Sequence, residues 1–303
     1  MTIPVLCGPT AVGKTAAALA LFGGQESVVI SADSMQVYRF MNIATAKATP
    51  AEQAILKHEM IDCVDPEDIW SVGQYLREAH ARIAEHISKG KQVVIVGGTG
   101  LYLKALMHGL VDAPSRDAGL RMEFLAREER DPGVLYRSLS TLDPKSAERL
   151  HPQDIRRIVR ALEVLTLTGC TISSLQSAGT EPPSWSFRVA GLTLDRAELA
   201  ERIEKRVDAM FADGLLDEVR MLTQRSCHEG MASMQGLGYQ ECLDHLAGRI
   251  TFDEARESFI ARTKELAQKQ MMLFRRMQGL VWFHARDIEG LRRHFGAGGG
   301  VPV

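Results

Sequence analysis

No apolar run in the 303-residue sequence approaches the roughly 20 residues needed to span a bilayer, so no membrane partner is expected. The N-terminus also lacks the charged start and apolar core of a secretory signal, and a cytoplasmic address is the expectation. Cysteine is scarce. Cys7, Cys63, Cys170, Cys227 and Cys242 are odd in number, scattered and in no Cys-x-x-Cys pair, which speaks against a disulfide framework and against a zinc site. A net charge of −2 excludes a chain that is basic all over, so any nucleic-acid surface must be regional. Apart from a recurring strand-to-helix unit there is no internal repeat. What remains, 45% apolar, can furnish the core of one large domain or two modest ones.

The chain is organised around Gly8-Pro9-Thr10-Ala11-Val12-Gly13-Lys14-Thr15, between the apolar run Ile3 to Cys7 and the helix-forming run Ala16 to Leu21. A buried strand, a glycine loop and a helix opening at Lys14-Thr15 make a P-loop, in which backbone N–H groups and a helix N-terminus surround a phosphate chain. Gly8 and Gly13 let the backbone approach the anion, Lys14 supplies a compact positive charge, and the Thr15 hydroxyl can ligate Mg²⁺. By itself the octet is a generic nucleotide-phosphate cradle of the ATP-binding kind, and it does not name a reaction.

Ser27 to Asp33 reads as a second buried strand with Asp33 at its carboxyl edge. In a parallel sheet covered by helices, ligands lie outside that edge, so Asp33 and the P-loop should face one cleft. Asp33 is a metal carboxylate or general base on this reading; the alternative is a helix N-cap. Lys47, in the loop Ala44 to Pro50, either reaches the cleft or is solvated surface, and His58 reads as structural. Helices are expected over Ala51 to Lys57 and Ser71 to Lys89, with a short strand at His58 to Pro66 between them. Gln92 to Val96 then repeats the strand, and Gly97-Gly98-Thr99-Gly100 can bring N–H groups and a hydroxyl to the same edge as Asp33.

Near Asp112 to Ser115 the alternation stops, and until about Pro183 the pattern is helical. The clearest helix follows Asp154, with Ile155, Ile158, Val159, Leu162 and Leu165 as its buried stripe and Gly169 as its end. Arg156, Arg157 and Arg160 lie to one side of it, where they can hold phosphates or form a solvated face balanced by Asp154 and Glu163. Trp185 to Leu194 reads as a returning strand. Asp195 and Glu198 resemble a capping pair, opening a helix whose Arg202 and Arg206 reach the cleft or pair at the surface with Glu198 and Glu201. Ser233 to Glu241 is a glycine-containing loop entering a helix. Thr251 and Glu254 open a long helix to about Met277, where Arg262, Lys264, Lys269, Arg275 and Arg276 stand against Glu265 alone, a local excess of +4. Gly296 to Gly300 reads as a flexible tail.

The P-loop, Asp33-Ser34-x-Gln36-Val37-Tyr38-Arg39, Thr45-Ala46-Lys47, Val96 to Tyr102, Arg160-Ala161-Leu162-Glu163-Val164 and Gly238-Tyr239 occur in order over residues 3 to about 276. Together they resemble the tRNA dimethylallyltransferase family, whose members transfer the dimethylallyl group of dimethylallyl diphosphate to N6 of the adenine 3′ of the anticodon. The resemblance implies an α/β fold: a P-loop NTPase-like parallel sheet core, residues 1–112 and 184–303 with C-terminal helices, and an inserted helical subdomain, 113–183, that contacts the anticodon arm. It implies tRNA and dimethylallyl diphosphate as partners, Mg²⁺ as cofactor with Thr15 as its ligand, and a monomer. Catalysis would fall to Asp33, Thr99, Lys14 and Arg206, with Gly8 to Thr15 (Gly8, Pro9, Thr10, Ala11, Val12, Gly13, Lys14, Thr15) holding a leaving diphosphate rather than ATP.

Carried over by position, Asp33, Ser34, Met35, Gln36 and Thr99 would meet the target nucleotide. Arg121, Arg156, Arg157, Ile158, Val159 and Arg160 would meet the anticodon arm, Gln235, Gly236, Leu237, Gly238, Tyr239 and Gln240 the loop bases, and Gln268, Lys269, Gln270 and Arg275 the stem. The sequence departs from the family at Val12 and Met35, at Glu59 after His58, and in the long helix, where Gln268-Lys269-Gln270 and Met272-Leu273 stand for a basic-Arg-Gln and Thr-Trp pattern. Rival readings are an adenylate isopentenyltransferase acting on free AMP, ADP or ATP, a P-loop small-molecule kinase, and an RNA-binding protein with a vestigial P-loop. The helical segment 113–183 favours tRNA over a free nucleotide.

Overall fold

The fold was obtained as a computed structural model that describes residues 2–111, 113–177 and 184–296. The expected glycine tail beyond Gly296, and Asp112 and Pro183 near the expected limits of the insertion, lie outside them.

The chain forms two units, Met1–Met107 with Ser184–Val303, and His108–Pro183. In the first, β1 (Thr2–Cys7), α1 (Lys14–Phe22), β2 (Ser27–Ala32), α2 (Pro50–Ile55), β3 (Lys57–Glu59), α3 (Val72–Ser88), β4 (Gln92–Gly97) and α4 (Gly100–His108) follow in order. The second unit holds α5 (Ala118–Arg130), α6 (Val134–Leu142), α7 (Pro144–Ala147), α8 (Ile155–Thr168) and α9 (Ile172–Ser177). The chain then returns as β5 (Ser186–Thr193), α10 (Arg196–Ala212), α11 (Leu215–Gln224), α12 (Tyr239–Leu246), α13 (Phe252–Phe274), β6 (Val281–His284) and α14 (Ile288–Phe295).

All paired strands run parallel, in the order β3-β2-β4-β1-β5-β6. Because successive side chains alternate between faces, the apolar strands divide their residues between two helical layers. Ile3, Val5 and Cys7, with Val28, Ile30, Val93 and Ile95, pack on Tyr75, Ala79 and Ile83 of α3 and on Leu103 and Leu106 of α4. Leu6, Val29, Val94 and Val96 face the other way, onto Leu21 and Phe22 of α1 and Leu291 and Phe295 of α14. A third cluster joins the loop at Val37 and Met41 to α10, α11, α12 and α13 through Val207, Val219, Tyr239 and Phe259. The helical unit has its own core, in which Ile158, Val159 and Leu162 of α8 meet Phe124, Leu135 and Leu139.

Local signals set several boundaries. Ser71 with Gln74, and Thr251 with Glu254, form reciprocal capping boxes at the starts of α3 and α13. Asp195 makes no side-chain cap, contrary to expectation, and the Glu198 carboxylate forms ion pairs with Arg202 and Arg286. The strand β6 and the helix α14 were not expected. β6 exists by pairing with β5, from Ala190 opposite Val281 to Thr193 opposite His284. No described helix is long and apolar enough to cross a membrane.

Candidate functional site

The loops that follow β1, β2 and β4 lie side by side because the strands do: Cys7 is opposite Gly97, and Ala32 is opposite Gly97 on its other side. They border a cavity of about 1390 Å³, lined by Lys14, Thr15, Asp33, Gln36, Thr99 and Arg206 among others. The expected juxtaposition of P-loop, Asp33 and the Gly98-Thr99 turn is therefore present.

Gly8 takes φ +146°, and a Cβ there would lie 2.8 Å from the Leu192 carbonyl oxygen of β5, so only glycine lets the loop leave the sheet at this point. Gly13 (φ +101°) turns the chain into α1. Lys14 Nζ donates to the carbonyl oxygens of Gly8 (3.1 Å) and Pro9 (2.9 Å), which holds the ammonium under the loop. Desolvation there pushes its pKa down to about 8, against the pull of Asp33 and with a further push from Arg206. Burial likewise lowers the pKa of Arg206, and the Asp33 carboxylate opposes that shift. Lys14 and Arg206 are thus half-buried cations in the field of one carboxylate, an arrangement that suits an added anion.

No helix opens at Asp33, so the alternative N-cap reading does not hold; the carboxylate shapes a turn instead. Its Oδ1 accepts the Met35 N–H (2.9 Å) and the Gln36 N–H (3.4 Å), shaping the turn, while Oδ2 has no hydrogen-bond partner among the described residues. Thr99 is tied to that turn: its hydroxyl accepts the Ser34 N–H at 3.0 Å and its own N–H donates to the Ala32 carbonyl at 3.0 Å. Gln36 bridges outward, accepting from Ser31 Oγ and donating to the Thr45 and Ala46 carbonyls. Arg202, one turn before Arg206, donates to the Val12 carbonyl at 3.4 Å.

Several expected contacts are corrected. Lys47 is only 8% exposed, so it is not solvated surface; it borders the cavity with its Nζ bonded to the Tyr38 carbonyl, Asn42 Oδ1 and Asp62 Oδ1, and so organises the loop. Tyr239 and Gly238 are buried: the phenol donates to Glu218 Oε1 at 2.7 Å and Tyr239 borders the cavity, while Gly238 packs against Phe259 and Ala44. Gln235, Gly236 and Leu237 do line the cavity, and Gln240 is exposed beside Arg262. Ile158 and Val159 point into the helical unit's core, so their side chains cannot contact RNA. On α13, Arg262 pairs with Glu241, Lys264 with Glu204 and Lys269 with Glu265, which reduces the expected basic excess because two of those acids come from other helices. Gln268 is exposed, and exposed Arg275 and Arg276 have no ion pair among the described residues. Gln270 turns inward, onto the P-loop.

Glu218 is a site residue with no local signal in the sequence. It accepts the Asn42 N–H, the Ile43 N–H and the Tyr239 phenol at 2.7 to 3.2 Å, anchoring one wall of the cavity. Burial and the neighbouring Glu218 carboxylate raise the Tyr239 pKa well above the usual phenol value. Glu218→Ala strands the buried Tyr239 phenol and two part-buried N–H groups and should cost about 2 kcal/mol in urea unfolding; a loss below about 0.5 kcal/mol would remove Glu218 from this role.

In the helical unit Glu163 is fully buried and accepts from Arg121 Nε and Nη2, Arg160 Nη1 and the Asp117 N–H. Its guanidinium partners hold its pKa down to about 2 against burial. Arg116, not singled out in the sequence, belongs to the same group: burial and then repulsion from Arg121, Arg156 and Arg160 lower its pKa, with Glu163 opposing. One carboxylate among four guanidiniums leaves a positive patch. Arg157 lies at the exposed edge of α8, 3.5 Å from Asp154.

A parallel sheet with a glycine loop, lysine and hydroxyl at one strand end and a carboxylate at the next defines a P-loop α/β protein with an anion-binding active site. The IPP transferase family model matches residues 36–277, and the chain belongs to that family. It is 41% identical over 295 residues to tRNA dimethylallyltransferase 2 of Syntrophus aciditrophicus, covering 96% of this chain and 94% of the relative. It is 44% identical to the tRNA dimethylallyltransferase of Desulfosudis oleivorans, covering 95% and 92% of the two chains. Among solved structures, the full-length tRNA isopentenylpyrophosphate transferase of Bacillus halodurans matches with TM-score 0.71 at 36% identity, covering 98% of this chain and 96% of that one. A eukaryotic dimethylallyltransferase acting on tRNA matches with TM-score 0.82 at 26% identity, covering 97% and 76%.

Proposed function

We propose that this protein transfers the dimethylallyl group from dimethylallyl diphosphate to N6 of the adenine 3′ of the anticodon in tRNA, releasing diphosphate. The observation that carries the reading is the placement of a carboxylate oxygen without a partner, Asp33 Oδ2, in the same cavity as the desolvated cations Lys14 and Arg206. Kinase chemistry would need the P-loop to present a transferable phosphoryl group to an acceptor; here the loop holds the group that leaves.

The exocyclic adenine amine is a weak nucleophile because its lone pair is delocalised into the ring. As the C1–N6 bond forms and the C1–O bond breaks, Asp33 accepts the N6 proton. Negative charge grows on the departing diphosphate, where Lys14, Arg206 and the loop N–H groups meet it. Thr99 acts on the acceptor side by holding the Ser34 turn. The adenine must leave its stack to reach this cavity, at a cost of a few kcal/mol, and the arginine patch of the helical unit holds RNA through its phosphates.

A smaller cavity of about 60 Å³ shares Thr10 and Arg206 with the larger one and has apolar walls at Ala44, Val207, Met210 and Phe259. It receives the hydrocarbon end of the donor. Mg²⁺ also fits: the Thr15 hydroxyl lines the site, while no cluster of three acidic, His or Cys ligands occurs among the described residues. Mg²⁺ keeps several waters and substrate phosphates in its shell, so it needs few protein ligands. When bound it would neutralise charge on the leaving diphosphate.

Purified protein with Mg²⁺ and dimethylallyl diphosphate should convert an unmodified tRNA with an A-rich anticodon loop to one containing N6-dimethylallyladenine, read by mass spectrometry of the digest. Geranyl diphosphate, five carbons longer, should not be transferred. Prenylation of free AMP with no change in tRNA would instead favour the adenylate isopentenyltransferase.

A further inference from the structure

Gln270 on α13 lies between the two glycine loops of the cavity. Its Oε1 accepts the Thr10 N–H of the P-loop at 2.8 Å, and its Nε2 donates to the Gly98 carbonyl at 3.0 Å. A planar amide has a donor and an acceptor at a fixed separation, so this pair of bonds sets a spacing between two backbone segments. The approach is close. A Cβ on Gly98 would lie 2.6 Å from Gln270 Nε2, and a Cβ on Gly100 would lie 2.3 Å from Leu273, one helical turn further along the same face. The two glycines thus admit α13 as well as shaping their own turn.

The neighbours of Gln270 behave differently. Gln268 and Lys269 are exposed, and Lys269, although it borders the cavity, pairs with Glu265, whereas Gln270 bonds the backbone of both glycine loops. We propose that Gln270 is a positioning residue of the donor site, which holds the P-loop at a set distance from the Gly98-Thr99 turn, and is not a contact to the RNA. The spacing matters because the P-loop holds the leaving diphosphate, while Thr99 holds the turn that carries Asp33 and the acceptor. The distance from C1 to N6 depends on the spacing of those two loops, and a displacement near 1 Å in a reacting pair can cost about 100-fold in rate. Gln270 contributes no charge and touches no reacting atom; it acts through the backbone of Thr10 and Gly98.

This rests on the dimethylallyl-transfer reading, and the wild-type assay separates the two: absence of transfer by the wild type counts against that reading, whereas the variants test Gln270. Gln270→Leu, which keeps the bulk and loses both bonds, should lower kcat/KM for dimethylallyl diphosphate about 10- to 100-fold, with kcat falling as well as KM rising. Its KM for tRNA should stay within about twofold of wild type. Gln270→Glu provides a readout that a loss of folding would not mimic. As a carboxylate it keeps the acceptor for Thr10 but loses the donor to Gly98 and sets a negative charge beside the diphosphate. Once protonated it has donor and acceptor again. Its donor kcat/KM relative to wild type should therefore rise as pH falls from about 8 to about 5.5. A raised tRNA KM with intact donor kinetics in Gln270→Leu, unchanged kinetics on both substrates, or a pH-independent ratio in Gln270→Glu would each overturn the proposal.

Discussion

Asp33→Ala lowers kcat for dimethylallyl transfer about 10³-fold, the middle of the range for a positioned general base, and changes tRNA affinity by less than about threefold. The expectation follows from the division of labour between the two carboxylate oxygens. Oδ1 is committed to the Met35 and Gln36 N–H groups, and in the proposed mechanism Oδ2 takes the N6 proton. Alanine removes both, so the turn also loses a local tie, and a second variant is needed to separate geometry from proton transfer. Asp33→Asn keeps an acceptor for the turn N–H groups but cannot take a proton, and it should be as inactive as Asp33→Ala. Single-turnover transfer measured beside a tRNA filter-binding curve distinguishes the cases. Full activity in Asp33→Asn would assign Asp33 to the turn alone and leave the N6 proton to another acceptor.

The residues that were legible in the sequence are those whose role is set within a few positions of the chain. The octet Gly8 to Thr15 has its strand before it and its helix after it, and its glycines answer to local backbone geometry. Asp33 was found because the carboxyl end of a buried strand is a place the fold defines, and the Thr251–Glu254 cap needs only its own turn. What escaped notice depends on partners far away in sequence. Val281 to His284 is short and partly exposed, and becomes a strand only at the edge of β5. Glu218 is one acid among several on an amphipathic helix until Asn42, Ile43 and Tyr239 converge on it. Lys47 looks like loop surface until Asp62 folds over it. A charge count along α13 could not include Glu204 or Glu241, which neutralise Lys264 and Arg262 from other helices. Gln270 is the sharpest case, since the family pattern directs it to RNA and its hydrogen bonds direct it to Thr10, 260 positions away.

Lys14→Met should reduce kcat/KM for dimethylallyl diphosphate about 10²- to 10³-fold, as loss of a preorganised donor to developing negative charge does elsewhere, and should also change the shape of the pH profile. In the free protein desolvation holds the Lys14 pKa near about 8, so the ammonium is charged below that pH and neutral above it. A bound diphosphate favours the charged form and raises the value, so above about 8 donor binding takes up a proton. The wild-type kcat/KM for the donor should be insensitive to Lys14 below that point and fall about tenfold per pH unit well above it. Methionine has no proton to lose. The variant's lower activity should therefore be flat across the same alkaline range, provided Mg²⁺ and tRNA are saturating. Burial lowers the Arg206 pKa, but a guanidinium keeps its proton in proteins, so Arg206 cannot produce this limb. The alkaline fall and its loss in Lys14→Met together would identify the ammonium as the group that receives the leaving diphosphate. An alkaline limb that persists unchanged in Lys14→Met would place the titration elsewhere and leave Lys14 as a strut for the Gly8 and Pro9 carbonyls.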